Sequence, residues 1–164
     1  MVENLFKRNL LLVLLCLGCS SCALNPVARD LTGYVNNDII RISEMETVSL
    51  KRYREVTGAN YTSDGVLIKT LKLDIIPVYR RFVELLKEIR PQTEEVKRLH
   101  KIYIDGSESI YQGLCEILGG VQLQDVDMIR AGNSKLEAGR KKTEKWRERL
   151  FVLFEKNGVT PEKE

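Results

Sequence analysis

Apolar residues recur at intervals of three and four positions in four stretches of the chain, which is the spacing of residues on one side of an α-helix. The stretches cover residues 31–56, 67–89, 96–117 and 126–153. None of them keeps the alternation of apolar and polar residues that a half-buried strand requires. The pattern therefore predicts an all-α protein with four long helices.

A single apolar stripe does not stabilise a helix in water, so the four stripes must be buried against one another. Short connections favour antiparallel neighbours, and the sequence therefore predicts an antiparallel up-down four-helix bundle over residues 31–158. We expect Leu85, Leu114 and Leu150 at the centre of its core. Residues 159–164 would form a C-terminal tail.

Proline, glycine and one aspartate indicate where these helices bend, end or begin. Pro77 lies inside the second stripe and should kink that helix or divide it in two, because its ring removes one backbone hydrogen bond. Gly119-Gly120 is expected to end the third helix, in which Gly106 is a weak point. Asp125 is a suitable cap for the start of the fourth helix.

The amino-terminal segment carries a different pattern. Lys7 and Arg8 stand before Asn9, and an apolar run of about nine residues follows. As a helix this run would span about 14 Å, half of what a bilayer core requires, so it does not predict a transmembrane helix. A positive start and a short apolar run are typical of a signal peptide.

The apolar run ends in Leu15-Cys16-Leu17-Gly18-Cys19, which resembles the lipobox of bacterial lipoprotein precursors. The resemblance covers residues 1–22 only and says nothing about the fold that follows. It implies that residues 1–18 are a signal peptide that is removed and that Cys19 receives a diacylglyceryl group. Residues 19–30 would then be an acylated anchor and tether.

Two alternatives to this assignment remain open. The first is acylation of Cys22, because Cys16, at the third position before Cys19, stands where the family usually shows Leu. An ordinary secretory signal, cleaved near Ser21 or Ala23, is the other alternative. Stable anchoring takes two acyl chains, which lipoprotein processing can supply.

The resemblance also implies a location in the cell envelope. Ser20 rather than Asp follows Cys19 directly, which in lipoproteins of double-membrane bacteria favours the periplasmic face of the outer membrane. An oxidising envelope would permit a disulfide between Cys22 and Cys115. The simpler interpretation makes Cys115 a small, partly buried apolar residue on a helix.

Charge is nearly balanced, with 26 basic and 23 acidic side chains and a net charge of +3. This balance argues against a protein dedicated to binding nucleic acid. Basic residues exceed acidic ones between residues 137 and 149, where both signs are mixed. Such mixing usually forms a solvated helix face with ion pairs four residues apart, and contact with anionic lipids is the alternative.

Patterns for catalysis or metal binding are missing from the sequence. His100 is the single histidine and has Lys97 three positions before it, so the Glu-x-x-His pattern of di-iron bundles fails. Cys19-Ser20-Ser21-Cys22 has C-x-x-C spacing but no second pair. We therefore predict no catalytic residue, cofactor or metal site, and a partly exposed structural position for His100.

The sequence predicts a non-catalytic helical bundle that is anchored in the cell envelope by lipid. We expect it to act by binding another envelope protein, which the sequence does not identify. A bundle that binds a small ligand or a metal is the alternative, and an envelope hydrolase is a third hypothesis. A ligand pocket would appear as a gap between Tyr79, Tyr103 and Tyr111, whereas packing at the edge of the core is the simpler role for these tyrosines. Tyr61 stands apart because it lies in a predicted loop.

Overall fold

The computed structural model describes residues 25–159, and every regular element in that part of the chain is helical. It contains four long helical segments: α1 (residues 26–54), α2 (residues 64–88), α3 (Glu94–Leu123) and α4 (Val126–Lys156). A 3-10 turn, Gly58–Asn60, connects α1 to α2. The predicted all-α class and its four helices are confirmed. The predicted leader and both candidate acylation sites, Cys19 and Cys22, lie outside the described residues.

Side-chain caps explain where three of the helices begin. Asn25 accepts a hydrogen bond from the Val27 N–H at 3.1 Å, and Pro26 suits the first turn because its φ is already helical. Helix α1 therefore starts at Pro26, inside the range 19–30 that the sequence assigned to the anchor and tether. Ser63 caps α2, and Asp125 caps α4 as predicted, accepting from the Met128 N–H at 2.9 Å.

Both α1 and α2 contain a wider π-helical turn. Helix α1 consists of Pro26–Gly33, the π segment Tyr34–Ile39 and Ile40–Arg54. Helix α2 consists of Asp64–Thr70, the π segment Leu71–Ile75 and Ile76–Glu88. Pro77 lies in the first turn after the second π segment. The wider turn accommodates the proline, so α2 continues through it and is not divided.

Helices α3 and α4 approach each other more closely than ordinary side chains allow. Gly106, Gly113 and Gly120 follow at intervals of seven on α3 and face α4, where Gly132 and Gly139 face α3. A Cβ on Gly113 would lie 2.6 Å from the Gly132 carbonyl oxygen, and a Cβ on Gly139 2.7 Å from the Gly106 carbonyl oxygen. The backbones are thus in direct contact, and the contacts run in opposite order along the two helices.

The prediction that Gly119-Gly120 ends α3 is wrong, because the helix continues to Leu123. A Cβ on Gly120 would lie 2.8 Å from the Ile129 nitrogen, and a Cβ on Gly119 would lie 2.7 Å from the end of the Met128 side chain. These glycines make room for the first turns of α4. The chain reverses one residue after α3, at Gln124, which has a left-handed φ of 55°.

The core lies between the apolar faces of all four helices. Leu114 and Leu150 are buried as predicted, but Leu85 is only half-buried and Leu86 occupies the interior. The π turn in α2 adds a residue to the helix, so the buried positions after it are displaced from those that an unbroken α-helix would give. For the same reason Tyr79 is buried and Val78 is half-buried.

We expect Gly113→Ala to lower the free energy of unfolding by about 1–3 kcal/mol, because the new methyl group must push two backbones apart. Gly65→Ala is the matched control: its Cβ would meet nothing closer than 4.0 Å, so stability should stay equal or rise slightly. Urea denaturation followed by circular dichroism measures both variants. Equal stability of the two variants would contradict the close contact.

Candidate functional site

Polar side chains from three helices meet inside the bundle. Glu46 of α1 accepts a hydrogen bond from the Tyr103 hydroxyl of α3 at 2.6 Å. Burial raises the pKa of the Glu46 carboxyl, while the hydrogen bond from Tyr103 acts in the opposite direction. The pKa of Tyr79 on α2 is raised well above its usual value, first by burial and then by the nearby Glu46 carboxylate. We call Glu46, Tyr103 and Tyr79, with Ser49 and Ser107, the polar cluster.

Three hydroxyls of the polar cluster have no hydrogen-bond partner among the described residues. They belong to Ser49, Tyr79 and Ser107, and all three side chains are buried. A buried polar group without a partner costs about 1–3 kcal/mol unless a small polar molecule such as water satisfies it. The cluster is therefore the part of the interior whose chemistry suits a small polar ligand.

Glu46 and Ser107 were missed in the sequence, although a signal for both is present. Glu46 continues the helical spacing from Ile42 towards Ser49, so it lies on the apolar stripe of α1. Ser107 fills the gap of seven residues between Tyr103 and Ile110 in the stripe of α3. Both are polar residues at positions that the period assigns to the core.

Aromatic rings pack closely around this cluster. The Phe82 ring lies 5.4 Å from Tyr79 and 5.9 Å from Tyr103, with the rings edge to face in both pairs. Tyr103 stacks on Trp146 of α4 at 4.0 Å. Tyr79 and Tyr103 are thus core residues as the simpler prediction had them, whereas Tyr111 is half-buried.

The loop tyrosine that the sequence singled out lies on the surface, just before α2. Tyr61 is exposed, and its hydroxyl donates to the Asp64 carboxylate at 2.8 Å. This contact joins the loop to the first residue of α2. Tyr61 therefore does not belong to the polar cluster.

His100 is buried, with 5% of its surface exposed, and the predicted partly exposed position is wrong. Its Nδ1 lies 3.2 Å from the Tyr34 hydroxyl of α1, and the two rings meet edge to face. His100 follows Leu99 directly, so it lies beside the apolar stripe and within reach of α1. Burial lowers the pKa of His100 to about 4, and the side chain is neutral at physiological pH.

A groove of about 420 Å³ between α1 and α4 opens towards Glu46. Three arginines line it, Arg54 from α1 with Arg140 and Arg147 from α4, and all three side chains are exposed. Burial raises the pKa of Glu46, and the Arg147 charge lowers it. Guanidinium groups recognise carboxylates and phosphates, and Glu46 and Glu144 also line the groove, so it offers groups of both charges to a small polar ligand.

Metal ligands do not converge in residues 25–159, where no group of three or more His, Cys, Asp and Glu side chains could hold an ion. In the same residues, no helix is long and apolar enough to span a bilayer. Cys115 lies half-buried on α3, and burial raises the pKa of its thiol. Its proposed disulfide partner, Cys22, lies outside the described residues.

His100 should make stability depend on pH between its folded pKa and the ordinary value. A free histidine titrates near pH 6.5, so between pH 6.5 and about 4 the unfolded chain binds a proton that the folded chain does not. The contribution of His100 to stability is therefore full above pH 6.5 and is lost as the pH falls towards 4. His100→Gln keeps a hydrogen-bonding group near Tyr34 without this titration.

Urea denaturation at pH 7 and pH 5 tests this prediction. The loss of unfolding free energy between the two values should be smaller in His100→Gln than in the unchanged protein. An identical loss in both proteins would show that His100 is protonated in the folded state.

No protein-family model, curated protein or solved structure matches the chain.

Proposed function

We propose that the protein is a lipoprotein of the cell envelope, anchored to a membrane through acylated Cys19, whose non-catalytic helical bundle acts through contact with a partner protein. The observation that carries the proposal is the sequence Leu15-Cys16-Leu17-Gly18-Cys19 after a short apolar run. Acyl chains on Cys19 would hold the bundle at a bilayer without a membrane-spanning helix. In a host with two membranes, Ser20 favours the periplasmic face of the outer membrane.

We further infer that the four helices form an antiparallel up-down bundle. Asp30, near the start of α1, accepts hydrogen bonds from the backbone N–H groups of Gln92 and Thr93, just before α3, at 2.7–3.1 Å. Asn25 donates to Asn157, just after α4, at 2.7 Å. These contacts support a common end for the start of α1, the start of α3 and the end of α4.

A partner protein would find exposed apolar residues at the turn between α3 and α4. Leu123 is 72% exposed and Val126 is 65% exposed. Val126 also borders an open groove along α4 together with Ile129 and Asn133. In the proposed arrangement this turn is the end of the bundle farthest from Asn25. Exposed apolar patches of this kind are typical of protein contact sites.

A small-ligand-binding bundle is the second candidate function. The polar cluster favours it, because three of its buried hydroxyls lack a protein partner. The arginine-lined groove leads towards the same Glu46 carboxylate. The ligand would then be small and polar.

Cys19→Ala should abolish acylation and leave the leader attached, because the thiol that receives the lipid is gone. Cys22→Ala is the matched control and should be acylated and cleaved normally. Incorporation of labelled palmitate and the intact mass of the purified product measure both effects. Lipid labelling of Cys19→Ala at the level of the unchanged protein would refute the assignment to Cys19.

Val126→Glu should weaken the contact with the partner protein, because it places a charge in the apolar patch. Leu73→Glu, at another exposed apolar position on α2, is the control. Co-purification from detergent-solubilised membranes should recover a partner with the control but much less of it with Val126→Glu. Equal recovery with both variants would contradict this contact surface.

A further inference from the structure

One side of α4 carries basic residues without ion-pair partners. Lys142, Lys145, Arg149 and Lys156 are exposed and follow at intervals of three, four and seven residues. With 3.6 residues per turn they lie along one side of the helix. None of the four has a carboxylate within ion-pair distance among the described residues. Val152, which is 62% exposed, lies between Arg149 and Lys156 on the same side. We call these five residues the basic strip.

The acidic residues of the same part of α4 lie elsewhere on the helix. They are Glu137, Glu144, Glu148 and Glu155. Their spacing places them along a line roughly 110° around the helix from the basic strip. Residues four apart therefore carry like charges, as in Lys145 and Arg149 or Glu144 and Glu148.

The mixed, ion-paired face predicted for this region is present only in part. Lys141 pairs with Glu137 at 3.8 Å, and this is an ion pair four residues apart of the kind predicted. The basic strip departs from that pattern, because Lys142, Arg149 and Lys156 have no acidic residue three or four positions away, and Lys145 has only Glu148, with which it forms no ion pair. A face of one sign with an exposed apolar residue is suited to an anionic surface with an apolar interior.

The basic strip lies beside the point where the chain enters the bundle. Asn25 contacts Asn157, directly after the end of α4. Six residue steps separate Cys19 from Asn25 and span at most about 21 Å. From Lys142 to Lys156 the strip also extends about 21 Å along α4. A lipid on Cys19 would therefore hold the bilayer surface within reach of the whole strip.

We propose that the basic strip lies on the anionic headgroups of the bilayer that carries the acylated Cys19, with Val152 at the lipid interface. This inference rests on the proposed lipid anchor. It sets the orientation of the bundle, with α4 along the membrane. Val126 lies more than a quarter of a turn around α4 from the strip, so the proposed contact surface for a partner stays accessible.

Tryptophan fluorescence of the acylated full-length protein on vesicles tests the proposal. The vesicles contain phosphatidylglycerol and phosphatidylcholine with brominated acyl chains, which quench indoles that enter the lipid. Val152→Trp should be quenched about threefold more strongly than Val126→Trp, which places the new indole at the far end of α4. Trp146 is buried and contributes the same background to both variants.

Charge variants then test the role of the headgroups. In the Val152→Trp protein, K145Q with R149Q should reduce quenching to about the level of Val126→Trp, because the strip loses half of its charges. The control is K69Q with K72Q, which removes the same charge from exposed positions on α2 and should leave quenching unchanged. Quenching that falls equally in both pairs would contradict a specific role for the strip.

Two negative results have different meanings. If the acylated protein floats with the vesicles but Val152→Trp is quenched no more than Val126→Trp, the strip faces away from the bilayer and is free for an acidic protein, which overturns this proposal alone. If the protein does not float and its intact mass shows an unmodified Cys19, the anchor fails and this proposal fails with it.

Discussion

The direct contact between the backbones of α3 and α4 is the constraint on which the rest of the bundle depends. Glycines at intervals of seven leave one side of α3 without side chains at three positions, so only that side allows α4 to come close. Gly132 and Gly139 of α4 lie against it. This fixes both the register of the two helices and their rotation. It brings Trp146 onto Tyr103 at 4.0 Å and places the Lys142 side chain of the basic strip beside Gly106 of α3. Dispersion contacts between closely packed backbones compensate for the low helix propensity of so many glycines.

The polar cluster is the part of the interior that works against stability. Glu46 accepts a hydrogen bond from Tyr103, but burial still raises its pKa, so the ionised carboxylate is less stable in the fold than in water. The hydroxyls of Ser49, Tyr79 and Ser107 add further cost. Apolar burial in the rest of the core, from residues such as Ile75, Ile110 and Leu114, offsets that cost. These buried polar groups lower the stability of the fold and lie next to a groove lined by arginines. Their presence favours ligand binding as the second candidate function.

Periodicity predicted most of the fold and little of the candidate site. All six apolar positions of the third stripe are buried, because α3 is an uninterrupted α-helix; they are Val96, Leu99, Tyr103, Ile110, Leu114 and Ile117. In α2 the same rule selected Leu85 in place of Leu86, because a π turn ahead of Pro77 displaces the pattern and leaves no simple mark in the sequence. Gly119-Gly120 interrupts the apolar pattern and was expected to end the third helix, yet α3 continues to Leu123 and these glycines make room for the first turn of α4. Glu46 and Ser107 lie on the stripes, but a polar residue at a core position becomes recognisable only when its partners on other helices are known.

The proposed lipoprotein combines a predicted signal peptide, which would direct it to a membrane, with a rigid pair of helices that orients the surfaces of the bundle. Nuclear Overhauser effects between protons of α3 and α4 measure the direct contact between the two backbones. We expect a strong effect between an α-proton of Gly113 and the Leu136 amide proton, and another between an α-proton of Gly139 and the Ile110 amide proton, because a Cβ in place of either α-proton would lie 2.8–2.9 Å from the corresponding nitrogen. Assigned spectra in which these pairs show no effect, while sequential effects within both helices are present, would contradict that contact.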